Sequence, residues 1–469
     1  MSEHLVIPRT IHQLQLPQDD NHLWDLVNRY DAKGPRYTSY PTAVSFHEQV
    51  TPDDVETAWR NSTRDISLYL HLPFCFQLCW YCGCHMKVER KREPMARYLD
   101  ALQKEAEGYR ALFAGKRIRQ FHLGGGTPNQ FPKELLLDLI GALQTMFDFD
   151  DDAERSIEVD PRLLNQEQLE AFARLGFERL SMGIQDFNPR VQAAINRHQT
   201  YEQVKAQVDL WRQMGQGGVN MDLIYGLPLQ SVDSFNQTVE QVINLEPQRI
   251  ALFNFAHIPQ RMRHQRLIRS ADLPEPITKF KILLNAVRRF TEAGYVPIGM
   301  DHFAKPDDPL AKSMLAGDLH RNFQGYTTLP DLDMLGLGAS SISMLDGFYG
   351  QNLKGIDTYQ ERINAKEPVL ERGLVLSEED RFRRDIIQNW MCRFVIEVGN
   401  IERDSGVSFE NLFPGIREKL AVMVEDGLLE THEFGYQATA LGMLLARNVA
   451  MLFDGRLAST TPGQFSRTI

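Results

Sequence analysis

The chain has 469 residues, more than one hydrophobic core usually serves, which predicts one large domain with smaller additions. Its 51 Lys and Arg residues against 62 Asp and Glu residues give a net charge of −11, which repels polyanions and argues against nucleic acid as a partner. No stretch approaches the roughly 18 apolar residues of a membrane helix. The first thirty residues contain no continuous apolar segment of the signal-peptide kind, so we expect a cytoplasmic protein.

Short apolar, β-branched segments alternate with amphipathic helical segments from about residue 65 onwards. The strand-like segments are 66–72, 118–123, 156–160, 179–184, 219–226 and 249–256, with helical patterns such as 95–113, 132–147 and 200–214 between them. This alternation predicts βαβ units and a parallel sheet, either open or closed as a barrel. A seventh β/α unit is expected around 296–300.

Four of the five cysteines crowd one loop after the first predicted strand: Cys75, Cys79, Cys82 and Cys84. Neighbours this close cannot all form ordinary disulfides, so a metal site is the better interpretation. Three thiolates with CxxxCxxC spacing can bind three irons of a cubane cluster and leave the fourth iron open for a chelating ligand. The fifth, Cys392, lies in an apolar helical stretch and is expected to be a buried core thiol.

Two alternatives bear on the same loop. A structural zinc site could use all four cysteines, but zinc sites usually take their ligand pairs from separated segments. Counting thiols alone favours Cys84 as a fourth cluster ligand. It lies only two residues beyond Cys82, however, and ligands so close rarely reach two corners of one cubane without backbone strain.

Several polar or glycine residues lie at or just past the carboxyl ends of the predicted strands. They are Gly124–Thr127, Glu158, Gln185, Asp222 and Ala256. This edge is where α/β barrels gather their active-site groups. Taken singly, each has an ordinary structural interpretation, such as a strand-to-helix turn, a capping carboxylate or a surface ion pair.

The C-terminal segment predicts a winged-helix-like fold, because a helix ending in DGLL precedes two short strands and a T-x-x-G helix start. Its acidic and basic residues are interspersed, with no basic face, which favours a packing or lid domain over DNA binding. We expect four parts: an N-terminal extension covering the active site (1–62), a barrel (63–305), a connector (306–375) and the mostly helical C-terminal domain (376–469).

Ten short motifs, in order along the chain, carry a family resemblance. They are GPRYTSYPTA (34–43), YLHLPFC…CGC (69–84), LGGGTP (123–128), SIEVDPR (156–162), SMGIQDF (181–187), MDLIYGLP (221–228), FNFAHIP (253–259), FQGYTT (323–328), GLGASSIS (336–343) and QFSRTI (464–469). Through them the chain resembles the oxygen-independent coproporphyrinogen III oxidases, radical S-adenosylmethionine enzymes of haem biosynthesis. The resemblance implies a partial (β/α)₆ barrel with N- and C-terminal additions.

The resemblance also implies cofactors and the residues around them. A [4Fe–4S] cluster is expected on Cys75, Cys79 and Cys82, with Cys84 nearby but off the iron, together with two S-adenosylmethionine molecules. Around the cluster-bound molecule it places Tyr69, Tyr81, Gly125, Glu158 and Ile342. Around the second it places Gly126, Thr127, Gln185, Arg197, Asp222 and Ala256.

The implied reaction is the oxidative decarboxylation of two propionates of coproporphyrinogen III to vinyls, giving protoporphyrinogen IX. A 5′-deoxyadenosyl radical would start it, so no acid/base pair is nominated. The four substrate carboxylates need local cations, for which Arg36 and Arg321 are hypotheses. A flavodoxin- or ferredoxin-type electron donor and a monomer are expected.

Two other functions of related proteins stay open at this stage. One is a haem-binding chaperone with the same cluster loop but no decarboxylase activity; such relatives generally lack the CGC arrangement, FQGYTT and the long N-terminal region present here. The other is a radical methyltransferase or haem-degrading enzyme of the same class, against which the sequence weighs less firmly.

Overall fold

The computed structural model describes residues 20–457 and 465–468. Residues 1–19 of the expected N-terminal extension lie outside the described residues. The first and last residues of the QFSRTI motif do so as well.

Six parallel strands form the centre of the molecule, and they follow one another in the sheet as they do in the chain. They are β1 (Ile66–Leu72), β2 (Arg117–Gly125), β3 (Asp148–Val159), β4 (Arg179–Gln185), β5 (Gly218–Tyr225) and β6 (Arg249–Asn254). Strands β1 and β6 pair with further strands on their outer sides instead of with each other, so the sheet is an open, partial barrel. The predicted parallel α/β core is confirmed.

Helices connect these strands and cover the outer face of the sheet. The main ones are α1 (Arg92–Tyr109), α2 (Lys133–Met146), α3 (Gln166–Arg174), α4 (Tyr201–Gln213), α5 (Val232–Leu245) and α6 (Pro276–Glu292). Local sequence explains where several of them begin. Asn165 and Ser231 form capping boxes with Gln168 and Ser234, which satisfy the first free amides of α3 and α5.

The segment around 296–300 does not form a seventh β/α unit. Strands β7 (Val296–Ile298) and β8 (His302–Ala304) form a hairpin, and β8 pairs antiparallel with β6. Only three residues separate the two strands, which is too short for the crossover that a parallel strand requires.

Four more strands extend the sheet beyond β1. Strand β9 (Asp333–Leu337) runs parallel to β1, and β10 (Ile342–Leu345), β11 (Phe348–Asn352) and β12 (Leu370–Val375) continue antiparallel. The twelve strands therefore follow the order β12-β11-β10-β9-β1-β2-β3-β4-β5-β6-β8-β7. Strands His320–Asn322 and Gly325–Thr327 form a separate antiparallel hairpin.

The C-terminal part has the expected mostly helical, winged-helix-like arrangement. Helix Ile416–Glu425 precedes strands Leu429–His432 and Gly435–Ala438, which form a three-stranded antiparallel sheet with Val395–Glu397. The Thr439 side chain accepts a hydrogen bond from the Gly442 amide, which caps the T-x-x-G helix. The other helices here are Glu378–Arg393, Val398–Ser405, Phe409–Leu412, Ala440–Leu444 and Ala446–Ala450.

Remaining helical elements fill the periphery: Asp20–Tyr30, Pro52–Asn61, Pro189–Ala194, Pro309–Ala316 and Ile356–Asn364. Cys392 is buried in the core of the C-terminal part, as expected. Within residues 20–457 and 465–468, no helix has the length and apolar character needed to cross a bilayer.

Candidate active site

The cysteine loop begins at the carboxyl end of β1. Cys75 and Cys79 are buried, Cys82 is partly exposed and Cys84 is exposed; all four are free thiols. One side of the loop is held by the segment after helix Pro189–Ala194. There the Asn196 side-chain nitrogen Nδ2 donates to the Leu78 carbonyl at 2.9 Å.

The other side of the loop is held by the segment that follows β6. The Gln265 side-chain nitrogen donates to the carbonyls of both Tyr81 and Ala256, each at 3.0 Å. The His264 ring nitrogen Nε2 is 2.7 Å from the Cys82 carbonyl oxygen. Distant segments therefore fix the loop from two sides, which preorganises its thiols.

The glycine turn after β2 lies directly against the cysteine loop. The Gly126 amide donates to the Leu72 carbonyl at 2.9 Å, and the Thr127 amide donates to the Phe74 carbonyl at 3.0 Å. A Cβ on Gly126 would lie 2.7 Å from the backbone of Pro73, so only glycine fits this approach. The Thr127 hydroxyl also donates to Cys75 Sγ at 3.2 Å.

Two arginines supply positive charge beside Cys79. Arg162 Nη2 and Arg197 Nη1 lie 3.5 Å and 3.6 Å from Cys79 Sγ. Both also bind the buried Asp160 carboxylate, at 2.6 Å and 3.1 Å, which fixes their position. The two guanidinium groups therefore place positive charge and hydrogen-bond donors beside this sulfur.

The thiols of the loop differ in their acidity. Burial raises the pKa of Cys75 to about 12. A hydrogen bond from the Cys84 thiol lowers the pKa of Cys82 to about 7, and the Cys84 amide also donates to Cys82 Sγ at 3.4 Å. Cys84 therefore acts on Cys82 through hydrogen bonds.

The donor set fits an iron–sulfur cluster. Three soft thiols on one clamped loop, with neighbouring guanidinium groups, match the ligands that Fe–S clusters use. Among the described residues, no three His, Cys, Asp or Glu side chains converge as the ligands of a single metal ion do. A cubane places each thiolate on a different iron, so its ligands need not converge.

Tyr69, on β1, belongs to a cluster of polar side chains beside this loop. Its hydroxyl is 3.1 Å from His71 Nδ1, and its ring stacks on that of His122. The Glu158 carboxylate, at the end of β3, accepts the Gly125 amide at 3.0 Å and lies 3.5 Å from His122 Nε2. Gly125 has a φ of +111°, and a Cβ there would lie 2.6 Å from the His71 ring.

The expected residues of the second cofactor site come from four strands and the segments after them. Gly126 and Thr127 follow β2, Gln185 ends β4 and is followed by Arg197, Asp222 lies on β5, and Ala256 follows β6. Gln185 has a positive φ of 68°, and its side-chain oxygen is buried with no hydrogen-bond partner among the described residues. The Arg197 Nε atom is likewise buried without a partner there. Such unsatisfied polar groups are costly unless a ligand meets them, which fits a bound cofactor.

Asp222, on β5, accepts hydrogen bonds from Asn220 at 2.8 Å and Ser181 at 3.3 Å. Burial, with the negative charge of Glu158, raises the pKa of Asp222 to about 6. A cationic ligand beside this carboxylate would favour its ionised form.

The structure brings most of the predicted site residues to one edge of the sheet. Ile342 lies at this edge because β9 ends there and Ile342 is the first residue of the antiparallel strand β10. Arg36 also reaches it, donating to the Asn254 carbonyl at 2.6 Å. Arg321 is buried under the Tyr326 ring, 4.3 Å from its centroid, with Nε and Nη1 lacking partners among the described residues.

Comparison with known proteins agrees with this geometry. Residues 69–242 match the model of the radical SAM superfamily. The oxygen-independent coproporphyrinogen III oxidases of Escherichia coli (strain K12) and Pseudomonas aeruginosa are 44% and 42% identical; in both cases the match covers 95% of this chain and 98% of the relative. A solved structure of coproporphyrinogen III oxidase (HemN) from Escherichia coli, described as a radical SAM enzyme, superposes with a TM-score of 0.86 at 44% identity, over 90% of this chain and 98% of that one.

The chain belongs to the oxygen-independent coproporphyrinogen III oxidase family. It is therefore a radical SAM oxidoreductase, and membership in that superfamily implies a [4Fe–4S] cluster and S-adenosylmethionine. The expectation drawn from the motifs is confirmed at this level.

Two residues of this family member's site were not singled out from the sequence. His71 contacts Tyr69 and lies under Gly125, and burial lowers its pKa to about 4, so its imidazole is neutral at physiological pH. Arg162 reaches Cys79. The signal for His71 was present, because strand periodicity places it on the same face of β1 as Tyr69.

Proposed function

We propose that the chain converts coproporphyrinogen III to protoporphyrinogen IX without oxygen, by oxidative decarboxylation of two propionates to vinyls. Each propionate loses one hydrogen atom from its β-carbon, one carbon dioxide and one electron, which an external acceptor takes. Two observations support this proposal. The loop that carries three cysteines is hydrogen-bonded to the glycine turn, and a member of the family is 44% identical over 95% of this chain.

The cofactors and the residues have separate tasks in this reaction. When bound, the cluster and S-adenosylmethionine supply a 5′-deoxyadenosyl radical that takes the β-hydrogen. Cys75, Cys79 and Cys82 hold the cluster in place, and no protein base is needed because the hydrogen leaves as an atom. The residues at the sheet edge position the reactants and keep water away.

Site residues are assigned by family resemblance, supported by their common location. Tyr69, Tyr81, Gly125, Glu158 and Ile342 bind the cluster-bound S-adenosylmethionine. Gly126, Thr127, Gln185, Arg197, Asp222 and Ala256 bind a second molecule. The unpartnered Gln185 oxygen and Arg197 nitrogen support the second group, because a ligand there would satisfy them.

Product analysis tests the reaction. Reconstituted protein, coproporphyrinogen III, S-adenosylmethionine and a strong reductant are incubated without oxygen, and tetrapyrroles are resolved by chromatography. We expect two vinyl groups and two carbon dioxide molecules per substrate, with 5′-deoxyadenosine, and no product from Cys79→Ser. Tight haem binding without vinyl product would instead support the chaperone function, and a methylated product the methyltransferase.

Cofactor stoichiometry tests the second S-adenosylmethionine. Equilibrium dialysis of the reconstituted protein should give two bound molecules per chain and one for Asp222→Asn, because a neutral amide attracts the cationic ligand less. Asp209→Asn is the matched control, since Asp209 pairs with Lys205 on the exposed face of α4. A single molecule bound to the unmodified protein would refute this part.

The proposal also includes an electron donor, a location and an oligomeric state. A flavodoxin- or ferredoxin-type protein delivers the reducing electron, the protein is cytoplasmic, and it acts as a monomer. Light scattering during size-exclusion chromatography should give a mass near 53.9 kDa. A mass of twice that value would contradict the monomer.

A further inference from the structure

A large cavity opens at the sheet edge beside Ala256, between the loop after β6, helix α6 and the paired segments 31–34 and 465–467. Its volume is about 930 Å³, at the upper end of the range for small-molecule sites, about 300–1,000 Å³. Gly226, which follows β5, and Phe255, which follows β6, form part of its wall. The cavity therefore adjoins the cofactor sites but extends beyond them.

Positive charge dominates the described lining of this cavity. Two lysines and two arginines face it, against one carboxylate, Asp31; the cations are Lys33, Arg261, Lys279 and Arg467. Asp31 binds Arg467. The chain as a whole carries −11, so this concentration of cations runs against the overall balance.

Neighbouring arginines strengthen the positive potential from behind the wall. Arg447 donates to the carbonyls of Pro35, at 2.8 Å, and of Gly34. Burial lowers the pKa of Lys279 to about 8; Asp31 opposes this, while the charges of Arg447 and Arg36 add to it. Cations this close repel one another, which an anionic ligand would relieve.

We propose that this cavity, which we call the basic rim cavity, binds carboxylates of the tetrapyrrole substrate, with Lys279 and Arg261 among their partners. The inference rests on the proposed function and names the site of its substrate. S-adenosylmethionine does not suit the cavity, because its sulfonium and ammonium groups together with one carboxylate give it a net positive charge. A tetracarboxylate suits it, because the described lining carries four cations against one carboxylate, and a tetrapyrrole is large enough to extend from the cavity towards the cofactor sites.

The test separates substrate binding from cofactor chemistry. Binding of the fluorescent tetracarboxylate coproporphyrin III and the dicarboxylate mesoporphyrin IX is measured on the reconstituted protein, alongside KM and kcat for coproporphyrinogen III. Lys279→Gln should weaken coproporphyrin III binding about tenfold, raise KM, and reduce the preference for four carboxylates over two. Iron content and substrate-free cleavage of S-adenosylmethionine should not change.

Arg261→Gln is the second variant, since Arg261 is exposed on a loop and its change does not disturb the core. Lys419→Gln, on the exposed face of helix Ile416–Glu425, is the matched control. Unchanged KM and coproporphyrin III binding in both cavity variants would overturn the inference, while vinyl product would show that the proposed function stands. If no vinyl product forms but the cavity variants lose coproporphyrin III selectivity, the reaction is wrong and the carboxylate site is retained.

Discussion

Gly126 shows how one missing Cβ shapes the site. The turn passes so close to Pro73 that a methyl group would lie 2.7 Å from its backbone. Gly126→Ala should therefore displace the cysteine loop, lower the free energy of unfolding by about 1–3 kcal/mol and reduce iron incorporation. Thermal unfolding and iron analysis check this.

Gly141 provides the control for that prediction. It lies in α2, where a Cβ meets nothing within 4 Å. Gly141→Ala should stabilise the protein by about 0.5–1 kcal/mol with normal iron content. Equal iron content in the two variants would contradict the role assigned to Gly126.

The cysteines give a second prediction at this scale. Cys75→Ser, Cys79→Ser and Cys82→Ser should each abolish cluster binding, because a hydroxyl is a poor, usually protonated substitute for thiolate. Cys84→Ser should keep near-normal iron, since Cys84 is exposed and contacts Cys82 through hydrogen bonds. Reduced activity of that variant is expected from the changed environment of Cys82.

Spectra of the reduced cluster, with and without S-adenosylmethionine, decide the role of Cys84. The spectrum of the unmodified protein should change when S-adenosylmethionine is added, because a cluster held by three thiolates would leave one iron open to this cofactor. No change in the unmodified protein, together with a change in Cys84→Ser, would identify Cys84 as a fourth ligand.

At the scale of elements, α1 is joined to the sheet through a buried carboxylate. Glu105 accepts hydrogen bonds from Tyr359 at 2.6 Å, Asn352 at 2.6 Å and the Gly338 amide at 2.7 Å. Burial raises its pKa from 4.5 to about 7. The folded state therefore binds this proton more tightly than the unfolded chain.

This difference predicts a pH dependence. The stabilising contribution of Glu105 is full below its unfolded pKa of 4.5 and is lost as the pH rises through about 7. The loss is on the order of a few kcal/mol. Urea titrations should show a smaller fall in the free energy of unfolding between pH 5 and pH 8 for Glu105→Gln than for the unmodified protein; an equal fall would refute the assignment.

The elements also show how far sequence alone reaches. Alternating strand and helix patterns place Glu158 and Gln185 at one edge, since parallel strands end on the same side. The prediction that Asp222 lies at a strand end was wrong, because β5 continues for three residues beyond it. The pairing of β9 with β1 was not predictable, because residues so distant in sequence leave no local pattern. The role of Arg162 was not predicted for the same reason, because it depends on contact with Cys79, which is distant in sequence and is brought close by the fold.

At the scale of the whole molecule, residues 30–34 pair with residues 466–468 beside the basic rim cavity. The Thr468 hydroxyl donates to the Tyr30 carbonyl at 2.6 Å and accepts the Ala32 amide at 3.0 Å. The Thr468 amide donates to the Ala32 carbonyl at 2.7 Å, and the Gly34 amide donates to the Ser466 carbonyl at 3.2 Å. The short ladder holds Asp31, Lys33 and Arg467 at the cavity wall.

Thr468→Val tests whether the pairing of residues 30–34 with residues 466–468 orders the cavity wall. The substitution keeps the side-chain shape but removes the hydroxyl and its hydrogen bonds to the Tyr30 carbonyl and from the Ala32 amide, each worth about 0.5–1.5 kcal/mol. The Ala32 amide keeps its bond to the Tyr30 carbonyl at 2.7 Å. Hydrogen exchange at residues 30–36 should accelerate, and KM for coproporphyrinogen III should rise, while iron content stays normal. Thr431→Val, on an exposed strand position, should change none of these. Unaltered exchange in Thr468→Val would contradict this role of the hydroxyl and assign the order of residues 30–36 to other contacts, such as those of Arg447.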